Sequence, residues 1–119
     1  MPTHYEDLLV WQKGMEIAKA IYILTKAFPE EERFGLVSQM RRAAISIPSN
    51  IAEGHDRLSK KEFKHFLLIS RGSAAELGTQ LRLCLSVDLI KQEKYTAISA
   101  LVDETSRMLY SLIQKVSDS

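Results

Sequence analysis

The chain has little of what most folds spend on covalent bracing or tight turns: one cysteine, three prolines and five glycines in 119 residues. A single cysteine cannot form an internal disulfide, which fits a reducing compartment, and a cytoplasmic location is expected. So few glycines and prolines argue against a turn-rich sandwich or barrel. No apolar run approaches the ~18 residues of a membrane span, so no membrane partner is expected. Residues 1–7 show no basic region followed by an apolar stretch, so no signal peptide is expected. Neither sign of charge dominates. Sixteen basic against fifteen acidic side chains give +1, so no global field points to nucleic acid or acidic lipid. What is present is apolar content, 45% of the chain, too much for disorder. At this length one domain over residues 1–119 is expected, burying roughly two-thirds of the unfolded-state surface.

Four stretches carry apolar residues at alternating steps of three and four, the spacing of a helix with one buried stripe. The first runs Leu8, Trp11, Met15, Ala18, Tyr22, broadened by Ile17, Ile21, Leu24 and Phe28. The second is Val37, Met40, Ala44, Ile47, Ile51. The third is Phe63, Leu67, Ser70, Ala74, Leu77, Leu81, Cys84, and the fourth Tyr95, Ile98, Val102, Thr105, Leu109, Leu112, Val116. No useful length alternates with period two, so no strand is predicted. Short connectors make consecutive helices antiparallel. The expected fold is an all-α, up-down-up-down four-helix bundle with helices of about 20 to 27 residues.

Local signals mark the breaks. Phe28-Pro29 should end the first helix, since the residue before proline is pushed out of the helical region. Gly54 is a candidate left-handed cap for the second helix. Ser59 with Glu62 matches a capping box at the start of the third, and Leu58 with Phe63 a hydrophobic staple. The last break, Val87 to Lys91, has neither glycine nor proline. Pro48 lies inside the second stripe and predicts a kink without a break, because the stripe stays in phase across it.

Charge is unevenly placed. Residues 1–32 are net −3, residues 33–82 net +5, and residues 83–119 net −1. The central helices therefore hold the positive charge. Arg57, Lys60, Lys61 and Lys64 cluster at their turn, with His55 and His65 nearby and Arg41, Arg42 and Arg71 nearer mid-helix. A hairpin turning near residue 56 places Arg42 and Arg71 at one height, Glu53 near Lys60 and Lys61, and Arg82 near Glu31 and Glu32. Three readings follow: a solvated, salt-bridged surface, a phosphate-contacting patch with salt-dependent binding, or a match to a protein partner's acidic face. Arg41, Arg42, Arg57, Lys60, Lys61 and Lys64 are the candidate nucleic-acid ligands.

The central helices also carry small and polar residues off the core stripe. Gln39, Arg42, Ser46, Asn50 and Glu53 form one line, and Gly72, Ser73, Ala75, Glu76, Gly78 and Gln80 crowd the third helix. Gly72 and Gly78 each cost ~1 kcal/mol relative to alanine in a helix interior, a cost that close approach of another helix would offset. Ser46, Asn50, Gly72, Ser73, Glu76 and Gly78 are the candidate subunit-interface residues, against the alternative that both lines face water.

Recognisable catalytic chemistry is missing. There is no glycine-rich phosphate loop, nucleophile elbow or H-E-x-x-H zinc motif. His4, His55 and His65 have no Ser or Cys partner in a catalytic context. Glu62-x-x-His65 has the spacing of a di-metal ligand pair, but such bundles need two pairs and two further Glu residues. Cys84 falls on an apolar stripe as a small hydrophobe. No enzyme, cofactor or metal is expected.

Ser38-Gln39-Met40-Arg41-Arg42-Ala43-Ala44-Ile45-Ser46-Ile47-Pro48-Ser49-Asn50-Ile51-Ala52-Glu53-Gly54 resembles a family signature, with Arg71-Gly72-Ser73-Ala74-Ala75-Glu76-Leu77 similar to its second block and Leu8-Val10-Trp11 to its opening. The family is that of the four-helix-bundle proteins encoded by intervening sequences of bacterial large-subunit ribosomal RNA genes. A related branch is the accessory variability determinant of diversity-generating retroelements, which assists a reverse transcriptase and binds nucleic acid. The chain departs from that strongly basic branch in its near-neutral charge. The resemblance implies a bundle that assembles into a barrel-like homopentamer and is not an enzyme. RNA or another nucleic acid is the expected ligand, and a protein-interaction scaffold for a separately encoded enzyme is the alternative.

Overall fold

A computed structural model describes residues 2–118. Four helices, α1 (Leu9–Thr25), α2 (Ser38–His55), α3 (Lys60–Ser86) and α4 (Gln92–Ser117), run up, down, up and down. Each packs most closely on its neighbours in sequence, and α4 closes on α1. The body measures 45 × 23 × 20 Å. No strand occurs among the described residues. No helix among them is long and apolar enough to cross a membrane.

Three of the four apolar stripes form the core as spaced. On α2, Met40, Ala44, Ile47 and Ile51 are buried, with Val37 just ahead of them. All seven stripe positions of α3 are buried, and on α4 Ile98, Val102, Thr105, Leu109 and Val116 are, with Ile113 added. On α1 the phase is one position away from the expected one. Val10, Gly14, Ile17, Ala18 and Ile21 face inward, while Met15 is 46% and Tyr22 38% exposed. The apolar arc of α1 is wide, so two adjacent phases fit it. Contact with α2 selects one: a Cβ on Gly14 would lie 3.2 Å from the Ile47 Cγ2, the Pro48 Cβ and the Pro48 nitrogen. The missing side chain of Gly14 is what lets α1 lie against the proline turn.

Three of the helix-end expectations fail, and the fourth break falls where expected by an unforeseen device. First, α1 stops at Thr25, ahead of Phe28-Pro29, and a twelve-residue connector of 3-10 and π turns leads into α2. As a result α1 and α2 have 17 and 18 residues, below the expected 20. Second, Gly54 is not a left-handed cap; it is helical and buried, and no described glycine has positive φ. Its use is steric, because a Cβ there would sit 2.6 Å from the Phe66 Cβ and 3.2 Å from the Phe63 Cδ1. Third, the staple does not form. Leu58 is fully exposed, and Phe63 packs edge-on against the His55 ring at 5.9 Å. Fourth, the glycine-free break after α3 is a Schellman turn. Leu89 N–H donates to the Cys84 carbonyl at 2.8 Å and Asp88 N–H to Leu85 at 3.2 Å, with Asp88 at φ 61° in the place glycine usually takes.

The other signals hold. The Ser59 Oγ accepts from the Glu62 N–H at 3.1 Å, capping α3. Pro48 is buried within α2, which continues unbroken through it. The Ile47 carbonyl, one residue earlier, accepts from the buried Ser70 Oγ at 2.8 Å, tying α3 to the proline turn.

Two outcomes test this packing. Gly54→Ala should lower stability by about 1–3 kcal/mol in urea unfolding, the cost of forcing a methyl into a filled site; an unchanged midpoint contradicts the close packing. Burial pushes the Cys84 thiol up from 9.0 to about 11. The folded-state value lies above the unfolded one, so the neutral thiol favours folding. That contribution is intact below pH about 9 and lost as pH rises through about 11. Cys84→Ala should lack this alkaline limb in a pH series of unfolding midpoints.

Candidate nucleic-acid interface

The α2–α3 turn places its cations by simple means. The cap at Ser59 starts α3 at Lys60, so Lys60, Lys61 and Lys64 fall within the first two turns. Lys60 and Lys61 are exposed and Lys64 half-buried. None of the three forms an ion pair among the described residues. The expected neutralisation by Glu53 goes elsewhere: its Oε1 accepts from the Arg57 Nη2 at 3.0 Å, an i,i+4 pair that reaches from α2 into the turn after it. The Arg57 guanidinium also lies 4.9 Å from the centre of the Phe66 ring. Arg57, Lys61, Glu62, His65 and Phe66 line an open groove of about 480 Å³.

Helix electrostatics make this arrangement unusual. The N-terminus of a helix carries roughly half a positive charge and favours acidic neighbours, by about 0.3–1 kcal/mol each when exposed. Glu62 meets that preference, and Lys60 and Lys61 oppose it. Stability alone does not account for lysines at this end. Their field adds to that of the helix terminus and reinforces attraction for an anion.

The other candidate cations do not join this patch as one surface. Arg41 is tied to α1. Its Nε donates to the Thr25 Oγ1 at 2.9 Å, its Nη2 to the Tyr22 carbonyl at 3.4 Å, and its guanidinium lies 4.5 Å from the Tyr22 ring centre. It completes the end of α1 and holds α1 to α2. Arg42 is exposed in the first half of α2 and lines a different groove from Arg57, which lies beyond the end of that helix. Arg71 faces α4, with its guanidinium 5.1 Å from the Tyr110 ring and its Nε 3.4 Å from the Ser106 carbonyl. The Ser70–Ile47 bond puts Arg71 level with Ile47, so Arg42 and Arg71 do not share one height. Arg82 donates to the Tyr95 hydroxyl at 3.2 Å and makes no ion pair with Glu31 or Glu32.

The candidate interface residues also divide. Ser46, Asn50 and Ser73 bond to one another within the chain. The Ser73 Oγ donates to the Ser46 Oγ at 2.8 Å, and the Asn50 Nδ2 to the Ser46 carbonyl and Oγ, both at 2.8 Å. With Gln39, Arg42, Ala43 and Glu76, Ser46 and Ser73 line a polar groove of about 410 Å³ between α2 and α3. Gly78 lines a different groove, between α3 and α4. No helix of the chain approaches Gly72 or Gly78, since a Cβ on either would meet nothing within 4 Å. Close approach inside the chain occurs at Gly14 and Gly54 instead.

Sequence reasoning missed two features here. Phe66 sits one position off the α3 stripe and reads there as spare apolar content, yet it is the platform under Arg57. The His55 Nε2 lies 2.7 Å from the Pro2 carbonyl. A carbonyl only accepts, so Nε2 donates, and the buried Nδ1 has no partner among the described residues. The Glu53–Arg57 spacing was a usable signal for the ion pair. Glu62 and His65 share the groove, and no group of three or more His, Cys, Asp or Glu side chains suited to a metal gathers among the described residues.

The fold is an all-α, antiparallel four-helix bundle with a cluster of basic side chains at its α2–α3 turn. Comparison with known proteins gives the family. Residues 6–111 match the 23S rRNA-intervening sequence proteins, and the chain belongs to that family. It is also similar to the crystal structure of a protein of unknown function from the S23 ribosomal protein family of Bacteroides thetaiotaomicron. The two are 29% identical with a TM-score of 0.80, over 88% of this chain and 98% of that one. No curated protein matches the chain.

The lysine placement has a stability consequence. The triple variant Lys60→Ala, Lys61→Ala, Lys64→Ala should be as stable as the parent or more so by a few tenths of a kcal/mol. A decrease above about 1 kcal/mol in urea unfolding would assign these lysines to holding the fold.

Proposed function

We propose that the protein is a non-enzymatic, homo-oligomeric RNA-binding bundle, and that the α2–α3 turn is its phosphate-contacting surface. The observation that carries this reading is the set of three lysines, unpaired among the described residues, in the first turns of α3, where they oppose the preference of the helix itself. The 23S rRNA-intervening sequence family makes ribosomal RNA the first ligand to try. Arg57 adds charge at the turn, and Arg42, in a separate groove on α2, is a second contact candidate. Arg41 contributes to the fold and not to this surface.

Assembly is supported by Gly72 and Gly78. Each weakens a long helix, and neither is needed by a neighbouring helix of the same chain. The two lie about 120° apart around α3, so neighbouring copies on two sides, as in a ring, supply the reason for both. Repeating one modest patch around a ring multiplies weak binding by avidity. Exposed Leu9, Ile23, Phe34 and Val87 favour a second reading, a scaffold for a separately encoded protein. Co-purification with protein and not nucleic acid, read from the 260/280 nm absorbance ratio, distinguishes it.

The decisive titration uses a fluorescent ribosomal RNA hairpin across a salt series. The parent protein should bind with a steep negative slope of log affinity against log salt. The triple lysine variant should bind more weakly, its slope shallower by about 0.7–0.9 for each phosphate it no longer neutralises. Equal binding by the variant sinks the assignment of the surface. Light scattering on the same samples should show an oligomer that Gly72→Ala weakens; a monomer that only gains stability from that change contradicts assembly through α3.

A further inference from the structure

Within the cationic turn the groove beneath Arg57 is chemically unlike the lysines above it. The Phe66 ring is part of its lining, with the Arg57 guanidinium 4.9 Å from the ring centre and the His65 ring edge-on at 5.4 Å. The Arg57 Nη2 donates to the Glu53 carboxylate at 3.0 Å, a second tie on the guanidinium besides the ring. The Arg57 side chain is nevertheless 42% exposed, so it is accessible to a ligand. A flat, oriented cation backed by an aromatic ring is a stacking surface for a planar base. One wall of the groove is the Glu62 carboxylate. A carboxylate repels phosphate and accepts hydrogen bonds from exocyclic amino groups of bases. The volume, about 480 Å³, falls in the range of sites that enclose small planar ligands.

We propose that this groove takes one unpaired, amino-bearing nucleobase, stacked on Arg57 and hydrogen-bonded to Glu62, while Lys60, Lys61 and Lys64 hold the flanking phosphates. The inference rests on the RNA-binding reading above and narrows it. The element recognised is a single-stranded loop or end, because bases inside a duplex are not free to leave the stack. Adenine, cytosine and guanine carry the amino group and uracil does not, so the groove discriminates against uracil.

The test compares three labelled RNAs of twelve nucleotides by fluorescence anisotropy: a single strand of alternating C and A, a single strand of U, and a blunt duplex. The parent should bind the C/A strand several-fold more tightly than either of the others. Arg57→Lys keeps the charge and removes the flat face. It should cost roughly tenfold on the C/A strand, the effect of removing one stacking partner, with little change in salt slope or duplex binding. Phe66→Leu should do the same, and Glu62→Gln should reduce the preference over U. Circular dichroism checks that the Phe66 variant is folded, and the exposed Arg57 site gives an independent reading. Equal, salt-dependent binding of all three RNAs, abolished in the triple lysine variant, overturns the base site and leaves the phosphate surface standing. Absence of binding to every RNA overturns both.

Discussion

The register between α2 and α3 is the constraint on which the rest depends. Gly54 lies against Phe66 and Phe63 at one end of this pair, and the Met40 and Cys84 sulfur atoms meet at 3.6 Å toward the other. Between them the Ser70–Ile47 bond and the Ser73–Ser46–Asn50 network fix the two helices without relying on apolar packing alone. Apolar packing tolerates sliding by a turn, whereas paired polar groups are left without partners when displaced. A shift of one helical turn would separate Phe66 from Arg57 and disperse the cationic end. The polar line that reads in sequence as a subunit interface thus has a first role inside the chain.

Proline fits the same logic. Pro48 removes one backbone hydrogen bond from α2, and the gap is placed where α1 and α3 both press close. Gly14 admits the proline from one side and Ser70 bonds the adjacent carbonyl from the other. A proline turn held by two neighbours is a fixed feature of the bundle. Arg41, seven residues earlier on α2, ties that helix to the end of α1. The distinctive segment Ser38–Gly54 therefore contributes mainly to architecture, and the family membership it signals speaks first of fold.

Much of this was legible in the residues. Helix type, number and order followed from the spacing of apolar side chains, and the α3 cap from Ser59 and Glu62. What stayed hidden depended on packing between segments distant in sequence. The phase of α1 is chosen by how Gly14 meets Pro48, which no local pattern encodes. Gly54 looks like a terminator because glycine often ends helices, but here the demand is for space beside Phe66. The Schellman turn at Asp88 has no local signal, because a residue less suited than glycine occupies it. At the candidate site, the lysine cluster was visible as charge. The contact of Arg57 with Phe66 was not, since it forms across the turn between side chains nine residues apart, a spacing no single helix pairs.

The account turns on where RNA touches the bundle. Ultraviolet crosslinking of the parent protein to a ribosomal RNA hairpin, followed by mass-spectrometric mapping, measures this directly. Crosslinked nucleotides should concentrate on peptides covering residues 57–66. Crosslinks confined to α1, α4 or the opposite end around residues 26–37, with residues 57–66 unmodified, would contradict it.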